Sequence, residues 1–264
     1  MGWIHEIPRW LAAIVVMATF STVALAGLAA THGWIRRRGL QALIDNSVVG
    51  WMFSAILSIY AITIGLTAVA SWTSSVKAAE VASREASEIA GLYRDVSGYP
   101  QPARDALVQG LREYLTNLIE VSWPMQRRGE IPHGGTDLLT DLQVKLYAFE
   151  PATDGQRALH AEALSAFNRL TETRRERLAD VESSVPGTLW TVVLVGAVVA
   201  IGATYVFTLD SIQVHAVMTM LLAAMIGLLV FFIAVTDMPY RGRDGISSAP
   251  YELVREDLVG MPAR

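Results

Sequence analysis

Four long apolar stretches, separated by polar segments, dominate the pattern of residues along this chain. Each is about 20 residues long, the length of helix that crosses a hydrocarbon core of about 30 Å. Because a backbone inside lipid must satisfy its own hydrogen bonds, each stretch is predicted to be a transmembrane helix. The predicted spans are residues 10–31, 48–72, 188–209 and 214–236.

The segment between the second and third spans, residues 73–186, has a different pattern. Charged residues occur throughout it, and its apolar residues recur at helical spacing. Breaks at residues 98–102, at Trp123-Pro124 with the following loop 129–135, and at Pro151 divide it into four amphipathic helices. The pattern therefore predicts an all-α membrane protein with four transmembrane helices and a helical soluble domain inserted between spans two and three.

The two ends of the chain allow further interpretations. Residues 24–27 resemble a signal-peptidase site, so a cleaved signal peptide is the alternative to the first span. The apolar stretch is longer than that of a typical signal peptide, and we expect it to remain as a membrane helix. The last segment, residues 237–264, is polar and rich in proline and glycine. It is predicted to be a mostly extended tail, with a short helix considered for residues 251–258.

Composition narrows the classes of function. The chain is 52% hydrophobic and 17% charged, below the roughly 25% charged residues of an ordinary soluble domain. A net charge of -4 without a basic tail leaves no electrostatic footprint for nucleic acid. The absence of cysteine excludes disulfides and thiolate catalysis. We therefore expect a lipid bilayer, and no nucleic acid, among the partners.

No group of residues predicts catalysis. The chain has no glycine-rich phosphate loop, and His133 and His160 lack metal-ligand spacing with the other histidines. Carboxylates such as Glu85 and Glu88 are interpreted as parts of solvated helix faces. We predict no catalytic residue, no metal site and no cofactor, in a protein that is not an enzyme.

The second span has two distinct faces on a helical wheel. Small residues let helix backbones approach closely in lipid, so their face is predicted to pack against a neighbouring helix. The opposite face, apolar and aromatic and then hydroxyl-rich, is predicted to line a pore. The alternative is that its hydroxyl groups bond back to their own helix or hold helices together. The packing face contains Gly50, Ser54, Ser58, Ala61, Gly65 and Ala68, and the pore face contains Asn46, Phe53, Ile56, Tyr60, Ile64, Thr67 and Ser71.

Charged residues are absent from the middle of every predicted span. This favours passive conduction over proton-coupled transport, which usually needs an ionisable group inside the membrane. Asp45 and Asp237, at span ends, are candidates for an ion mouth, with helix capping as the alternative. Gly196 and Ala200 are predicted close-packing points in the third span.

Membrane orientation is only weakly indicated by charge. Four spans place the soluble domain and both termini on one side, and the sum of Lys and Arg near the membrane favours the cytoplasm for that side. The triplet Arg36, Arg37 and Arg38 in the first loop argues for the reverse orientation. The basic residues counted on the domain side are Arg9, Lys77, Arg84, Arg174, Arg175, Arg177, Arg241 and Arg243.

Several short motifs, in order along the chain, resemble those of the bestrophin-like domain family of bacterial membrane proteins. The second span opens with Asn46-Ser47-Val48-Val49-Gly50, and the first soluble helix contains Glu85-Ala86. Trp123-Pro124 resembles a Glu-Trp-Pro element, with Ser122 in place of the glutamate. The remaining motif residues are Tyr60-Ala61, Trp72, Leu92-Tyr93-Arg94, Tyr114, Asp237-Met238-Pro239-Tyr240-Arg241-Gly242, Ile246-Ser247 and Pro250-Tyr251.

The resemblance implies kinship with bestrophins, which are oligomeric anion channels. It implies four spans and a cytoplasmic helical domain in each subunit, a second span that lines a hydrophobic neck, and a homo-oligomer, with a pentamer favoured. It also implies a multi-pass protein of the bacterial inner membrane and a permeant ion, with anions slightly favoured over cations. No acidic cluster like the calcium clasp of animal bestrophins is present. The alternative function is a non-conducting sensor or scaffold, in which the helical domain binds a ligand or partner.

Overall fold

The structure, a computed structural model, describes residues 8–38, 44–132, 134–182, 184–242 and 245–260. Within these residues every regular element is helical, and four helices are long and apolar enough to cross a membrane. The predicted all-α class with four transmembrane helices is therefore confirmed. The α-helices are α1 (Arg9–Arg37), α2 (Asn46–Ser97), α3 (Ala103–Asn117), α4 (Trp123–Arg127), α5 (Gly134–Tyr147), α6 (Asp154–Glu182), α7 (Gly187–Thr204), α8 (Ile212–Thr236) and α9 (Ala249–Gly260).

The chain forms two compact units. The first, here called the membrane unit, contains Met1–Ser74 and Ser184–Asp237, and so includes α1, the first part of α2, α7 and α8. The second, the helical domain, contains Ser75–Ser183 and Met238–Arg264.

Small residues set the packing of the membrane unit. On α8, a Cβ added at Gly227 would lie 3.1 Å from Cβ of Phe20 on α1. On α7, Val193, Ala197 and Ala200 are buried. Such residues let helices approach closely where no hydrophobic effect drives them together.

One apolar core organises the helical domain. The last part of α2 contributes small residues and then larger ones along one stripe, from Ala78 to Val96. Buried side chains of α3, α5, α6 and α9 complete the same core. The stripes predicted from helical spacing therefore meet in a single cluster.

The predicted helix end at Trp123-Pro124 is wrong, because the chain stays helical to Arg127. A π-helical turn, Leu118–Ser122, lies between α3 and α4, and the Trp123 N–H bonds to the carbonyl of Leu118. Pro124 then falls in the first turn of α4, directly after the π-helical turn.

The C-terminal segment is not the extended tail that its prolines predicted. It contains α9, which includes the short helix considered for residues 251–258. Ser248 begins this helix, since its carbonyl accepts from the Glu252 N–H at 3.1 Å and its hydroxyl bonds to the Glu252 carboxylate at 2.6 Å. Aromatic burial holds the segment in place, with Tyr240 and Tyr251 rings 5.8 and 5.1 Å from the Trp123 ring.

Candidate functional site

Tyr60, predicted to face a pore, lies against α7 inside the membrane unit. Its side chain is only 6% exposed, and its hydroxyl donates to the carbonyl of Val193 at 3.3 Å. Its ring fills the space beside Gly196, where a Cβ would lie 2.5 Å from Cδ2 of the ring. Gly196 is thus a close-packing point, and its partner is the face that had been assigned to the pore.

Ile64, Thr67 and Ser71, which lie on the same face of α2 as Tyr60, are also buried. Ile64 is 2% exposed, and the Thr67 hydroxyl donates to the carbonyl of Thr63 at 2.9 Å. The Ser71 and Thr236 hydroxyls share a hydrogen bond of 2.8 Å. Burial within the subunit leaves Tyr60, Ile64, Thr67 and Ser71 unavailable to a lumen, and we revise their assignment from pore lining to packing.

The first-loop end of this face contacts the connection between α7 and α8. Asn46 donates to the carbonyl of Thr208 at 2.6 Å and accepts from its N–H at 3.0 Å. Phe53 meets Phe207 edge to face, with 5.5 Å between ring centroids. Ile56 is half-buried.

Most of the small-residue face of α2 is open, and only Ala68, 8% exposed, packs in the core of the membrane unit as predicted. A Cβ added at Gly50 or Gly65 would meet no atom within 4 Å. Ser54, Ser58 and Ala61 are exposed. The packing predicted for these five residues therefore does not occur within the subunit, because Tyr60 and its neighbours already supply the contact with α7 and α8.

Large apolar side chains extend this open side of α2. Ile62 is 64% exposed and Leu66 is 67% exposed. No charged residue lies between Asn46 and Val76. We call Ser54, Ser58, Ala61, Ile62, Gly65 and Leu66 the free face.

The two aspartates considered for an ion mouth make structural hydrogen bonds. Asp45 accepts from the Ser47 N–H at 2.8 Å, as an N-terminal cap of α2 does. Asp237 is 9% exposed, and its two oxygens accept from the Val185 N–H and from Nε1 of Trp190. Asp237 thereby joins the end of α8 to the start of α7, which favours the capping alternative.

Glu85, predicted to lie on a solvated face, is completely buried in the helical domain. Arg177, 1% exposed, bonds to it through Nε and, at 3.3 Å, through Nη2. The hydroxyls of Tyr114 and Tyr251 donate to the same carboxylate at 2.9 and 2.8 Å. This group of four is called the Glu85 cluster. Four donors satisfy one buried carboxylate, as an interior charge requires.

Residues that carry the family resemblance converge around the Glu85 cluster. Cζ of Arg177 lies 5.8 Å from the centroid of the Trp123 ring. Nε1 of Trp123 donates a hydrogen bond to the carbonyl of Ile246 at 3.1 Å. The Tyr240 hydroxyl donates to the carbonyl of Ala78 at 3.1 Å. Motifs far apart in sequence thus build one buried structural centre.

Burial and charge alter titration within the cluster. Desolvation by burial, reinforced by the Glu85 charge, raises the pKa of the Tyr114 and Tyr251 hydroxyls. Burial acts to lower the pKa of Arg177, but Glu85 and the two tyrosines outweigh it and raise that pKa. The arginine and both tyrosines therefore stay protonated, and the cluster is suited to structural support.

Arg177 was not identified from the sequence as part of a site. The charge distribution places Arg177 and Arg174 near the membrane surface, yet both side chains are buried in the helical domain. A signal existed, since Arg177 lies seven residues after Leu170 and four before Val181, on the apolar stripe of α6. Arg243, counted in the same argument, lies outside the described residues.

Asp180 gives a testable pH dependence. Burial raises its pKa, and Glu176 raises it further while Lys77 opposes; Oδ2 is buried with no hydrogen-bond partner among the described residues. A carboxyl whose pKa is raised by folding stabilises the fold below its unfolded pKa and loses that contribution as pH rises through the folded pKa. Asp180→Asn should therefore raise the midpoint of thermal unfolding at pH 7, where it removes a buried charge. Near pH 4 the variant and the original protein should have similar midpoints, because the Asp180 carboxyl is then largely protonated.

Thermal unfolding of the purified variant and of the original protein at the two pH values measures this change in midpoint. Asp141→Asn, at an exposed position on α5, is the control and should change the midpoint little. An equal effect of Asp180→Asn at both pH values would contradict the expectation.

The chain is similar to a known protein family and to several solved structures. The family model of the Bestrophin-like domain matches residues 18–251. Two single-substitution variants of a bacterial bestrophin homologue from Klebsiella pneumoniae are similar in fold, at 12% and 14% identity with TM-scores of 0.65 and 0.66. Each comparison covers 94% of this chain and 99% of the other. A crystal structure described as that of a membrane protein with a proline-to-alanine substitution is similar at 13% identity, with a TM-score of 0.68 and the same coverage. No curated protein sequence matches the chain.

Proposed function

The chain belongs to the bestrophin-like domain family, and on that basis we propose that it is a subunit of an oligomeric ion channel. In this proposal identical subunits surround an axis, a pentamer being the number that the family resemblance favours. The free face of α2 lines the pore. The protein lies in the bacterial inner membrane, with the helical domain and both termini in the cytoplasm.

The observation that carries the proposal is the free face itself. It joins small residues to large apolar ones without any charge, and none of the helices that the structure describes covers it within the subunit. Pores of this kind conduct through small or hydroxyl-bearing positions and are gated by apolar constrictions that exclude water. Ile62 and Leu66, one helical turn apart, form the constriction in this proposal.

The bonding of two serines bears on charge selectivity. The Ser54 hydroxyl donates to the carbonyl of Gly50 at 2.8 Å, and the Ser58 hydroxyl donates to that of Ser54 at 2.7 Å. Each donor is thus used within the helix, and the free lone pairs attract cations. The resemblance favours anions, so we propose that conduction is passive and only weakly charge-selective.

Ile62→Ala should increase ion flux through liposomes containing the purified protein about tenfold or more. Removing a constricting side chain widens an apolar gate and lowers its dewetting barrier, and about 1.4 kcal/mol corresponds to a factor of ten. Flux of both chloride and potassium is measured under a gradient of each.

Leu221→Ala on α8 is the matched control, because Leu221 is 60% exposed against 64% for Ile62. Ion flux through liposomes that contain the Leu221→Ala variant should equal the flux measured with the original protein. The proposal fails if folded protein passes neither ion in any variant, or if it is monomeric by mass in detergent.

A further inference from the structure

A groove opens between α1 and α7 within the membrane unit. It has a volume of about 360 Å³ and lies against the middle of α1 and the second half of α7. Ala24 and Ala197, both buried, form its floor, while Val23 and Val198 form its exposed rims. Both walls belong to helices long and apolar enough to cross a membrane, so the medium at the mouth of the groove is hydrocarbon.

The Tyr205 side chain closes the groove at the end of α7. Its hydroxyl donates to the carbonyl of Ala24 at 2.9 Å. The tyrosine lies directly on α1 beside Gly27, where an added Cβ would be 2.5 Å from the hydroxyl oxygen. This contact joins the two helices at one point, and they enclose the groove next to it.

Water is a poor occupant of this groove. A buried water needs about two to four polar partners, and the side-chain hydroxyls that line the groove are those of Thr19 and Tyr205. The Thr19 hydroxyl donates to the carbonyl of Val15 at 2.7 Å, and the Tyr205 hydroxyl donates to α1. An empty groove is also unfavourable, because the atoms that line it would lose dispersion contacts. An apolar occupant therefore fits this place best.

The size of the groove distinguishes a hydrocarbon chain from a protein helix. Its lining extends about 16 Å along α7 and about 8 Å along α1, at about 1.5 Å per residue. The volume divided by these lengths gives a mean cross-section of about 22–45 Å², whereas a helix about 10 Å across needs about 80 Å². Its ten lining residues are also fewer than the roughly 20–30 residues on each side of a stable protein interface. A single chain of methylene groups is thin enough to enter, and a helix of a second copy is not.

We propose that this groove, here called the α1–α7 groove, binds one acyl chain of a membrane lipid. The hydrophobic effect does not drive this binding, because the surrounding lipid is equally apolar. The chain is held by dispersion, since it contacts carbon atoms on both walls and the floor, whereas a chain on an open helix face has protein on one side only. The site lies within the membrane unit, and its existence does not depend on conduction through α2.

Photolabelling of the full-length protein in phosphatidylcholine liposomes tests the site, with a small fraction of the lipid carrying a diazirine within one acyl chain. Mass spectrometry of the digested protein then locates the labelled residues. Val23 and Val198, which are 66% and 72% exposed, should be labelled about threefold or more above Leu221 on α8, which is 60% exposed, because a few extra carbon contacts for each methylene suffice for such a preference. Equal labelling of the three residues overturns the inference. Labelling of Leu221 alone also overturns it, and would show that a second copy of the chain covers the groove.

Gly202→Leu fills the groove and gives a second measurement. Gly202 lines the groove, and a Cβ added there meets no described atom within 4 Å, so a larger side chain can enter the open space. We expect this variant to lower the labelling of Val23 about threefold or more by displacing the chain from its contacts, and to leave that of Leu221 unchanged. Gly202→Ala adds only the Cβ and should retain most of the labelling.

Gly33→Leu on α1 is the matched control. A Cβ added at Gly33 also meets no described atom within 4 Å, and Gly33 does not line the groove. Labelling of Val23 should therefore equal that of the original protein. Unchanged labelling in Gly202→Leu, or an equal loss in the two leucine variants, overturns the inference. If Gly202→Leu does not fold, the comparison of Val23 with Leu221 in the original protein still decides the question.

Discussion

Glu85→Ala should lower the free energy of unfolding of the helical domain by about 3–5 kcal/mol, the cost of breaking a buried ion pair on one side. Total stabilities of domains are about 5–15 kcal/mol, so much of this domain should unfold at moderate temperature. Loss of helical circular dichroism on heating, compared with the original protein, measures the effect.

The size of this effect follows from what the alanine leaves behind. Arg177 would remain buried at 1% exposure with its carboxylate gone. The hydroxyls of Tyr114 and Tyr251 would lose their acceptor at the same time. A buried charge or donor without a partner costs its full desolvation free energy on folding. In this variant the Arg177 guanidinium and the two tyrosine hydroxyls would each have that cost.

Two further variants separate this explanation from general damage. Glu80→Ala changes an exposed glutamate of the same helix and should alter stability by less than about 0.5 kcal/mol. The double variant Glu85→Ala with Arg177→Met removes both charges and should be more stable than Glu85→Ala alone. A double variant as unstable as the sum of the two single ones would argue against an ion-pair origin.

Gly196→Ala should destabilise the membrane unit by about 1–3 kcal/mol, the usual cost of overpacking a filled interior. The added Cβ would lie 2.5 Å from Cδ2 and 2.7 Å from Cε2 of Tyr60. The ring cannot easily turn aside, because its hydroxyl is bonded to the carbonyl of Val193. Unfolding in mixed micelles, followed by tryptophan fluorescence, measures the change.

Gly202→Ala on the same helix is the matched control. A Cβ there meets no atom within 4 Å, so the same chemical change should have almost no effect. Combining Gly196→Ala with Tyr60→Ala should cost less than the sum of the two, since the ring that clashes is gone. Equal effects at Gly196 and Gly202 would rule out a steric cause.

The sequence of the second span does not predict which of its two faces packs against the rest of the subunit. A helical wheel separates its small residues from its hydroxyl-bearing and aromatic ones, and this separation is present in the structure. Within the subunit, the face predicted to line a pore is the one that packs, because Tyr60 fits against Gly196, a small residue of another helix. A wheel describes one helix and contains no information about which face its neighbours can accommodate.

Local pattern places Arg177 on an apolar stripe but does not show which residue pairs with it. Glu85 has an acidic neighbour at Glu88, and such a pair normally lies in solvent. Only the folded domain shows that Arg177, 92 residues later in the chain, neutralises Glu85. The C-terminal helix also has contacts with residues distant in sequence, because Tyr251 bonds to Glu85 and packs against Trp123.

Span length, helical spacing and short motifs are local properties, and they establish the four membrane helices, the all-helical class, the inserted domain and the family. Only the folded chain shows which face of α2 is free within the subunit and that Glu85 and Arg177 form a buried pair. These depend on contacts between residues distant in the chain. Such contacts are selected by the fit of whole surfaces, which no local pattern encodes.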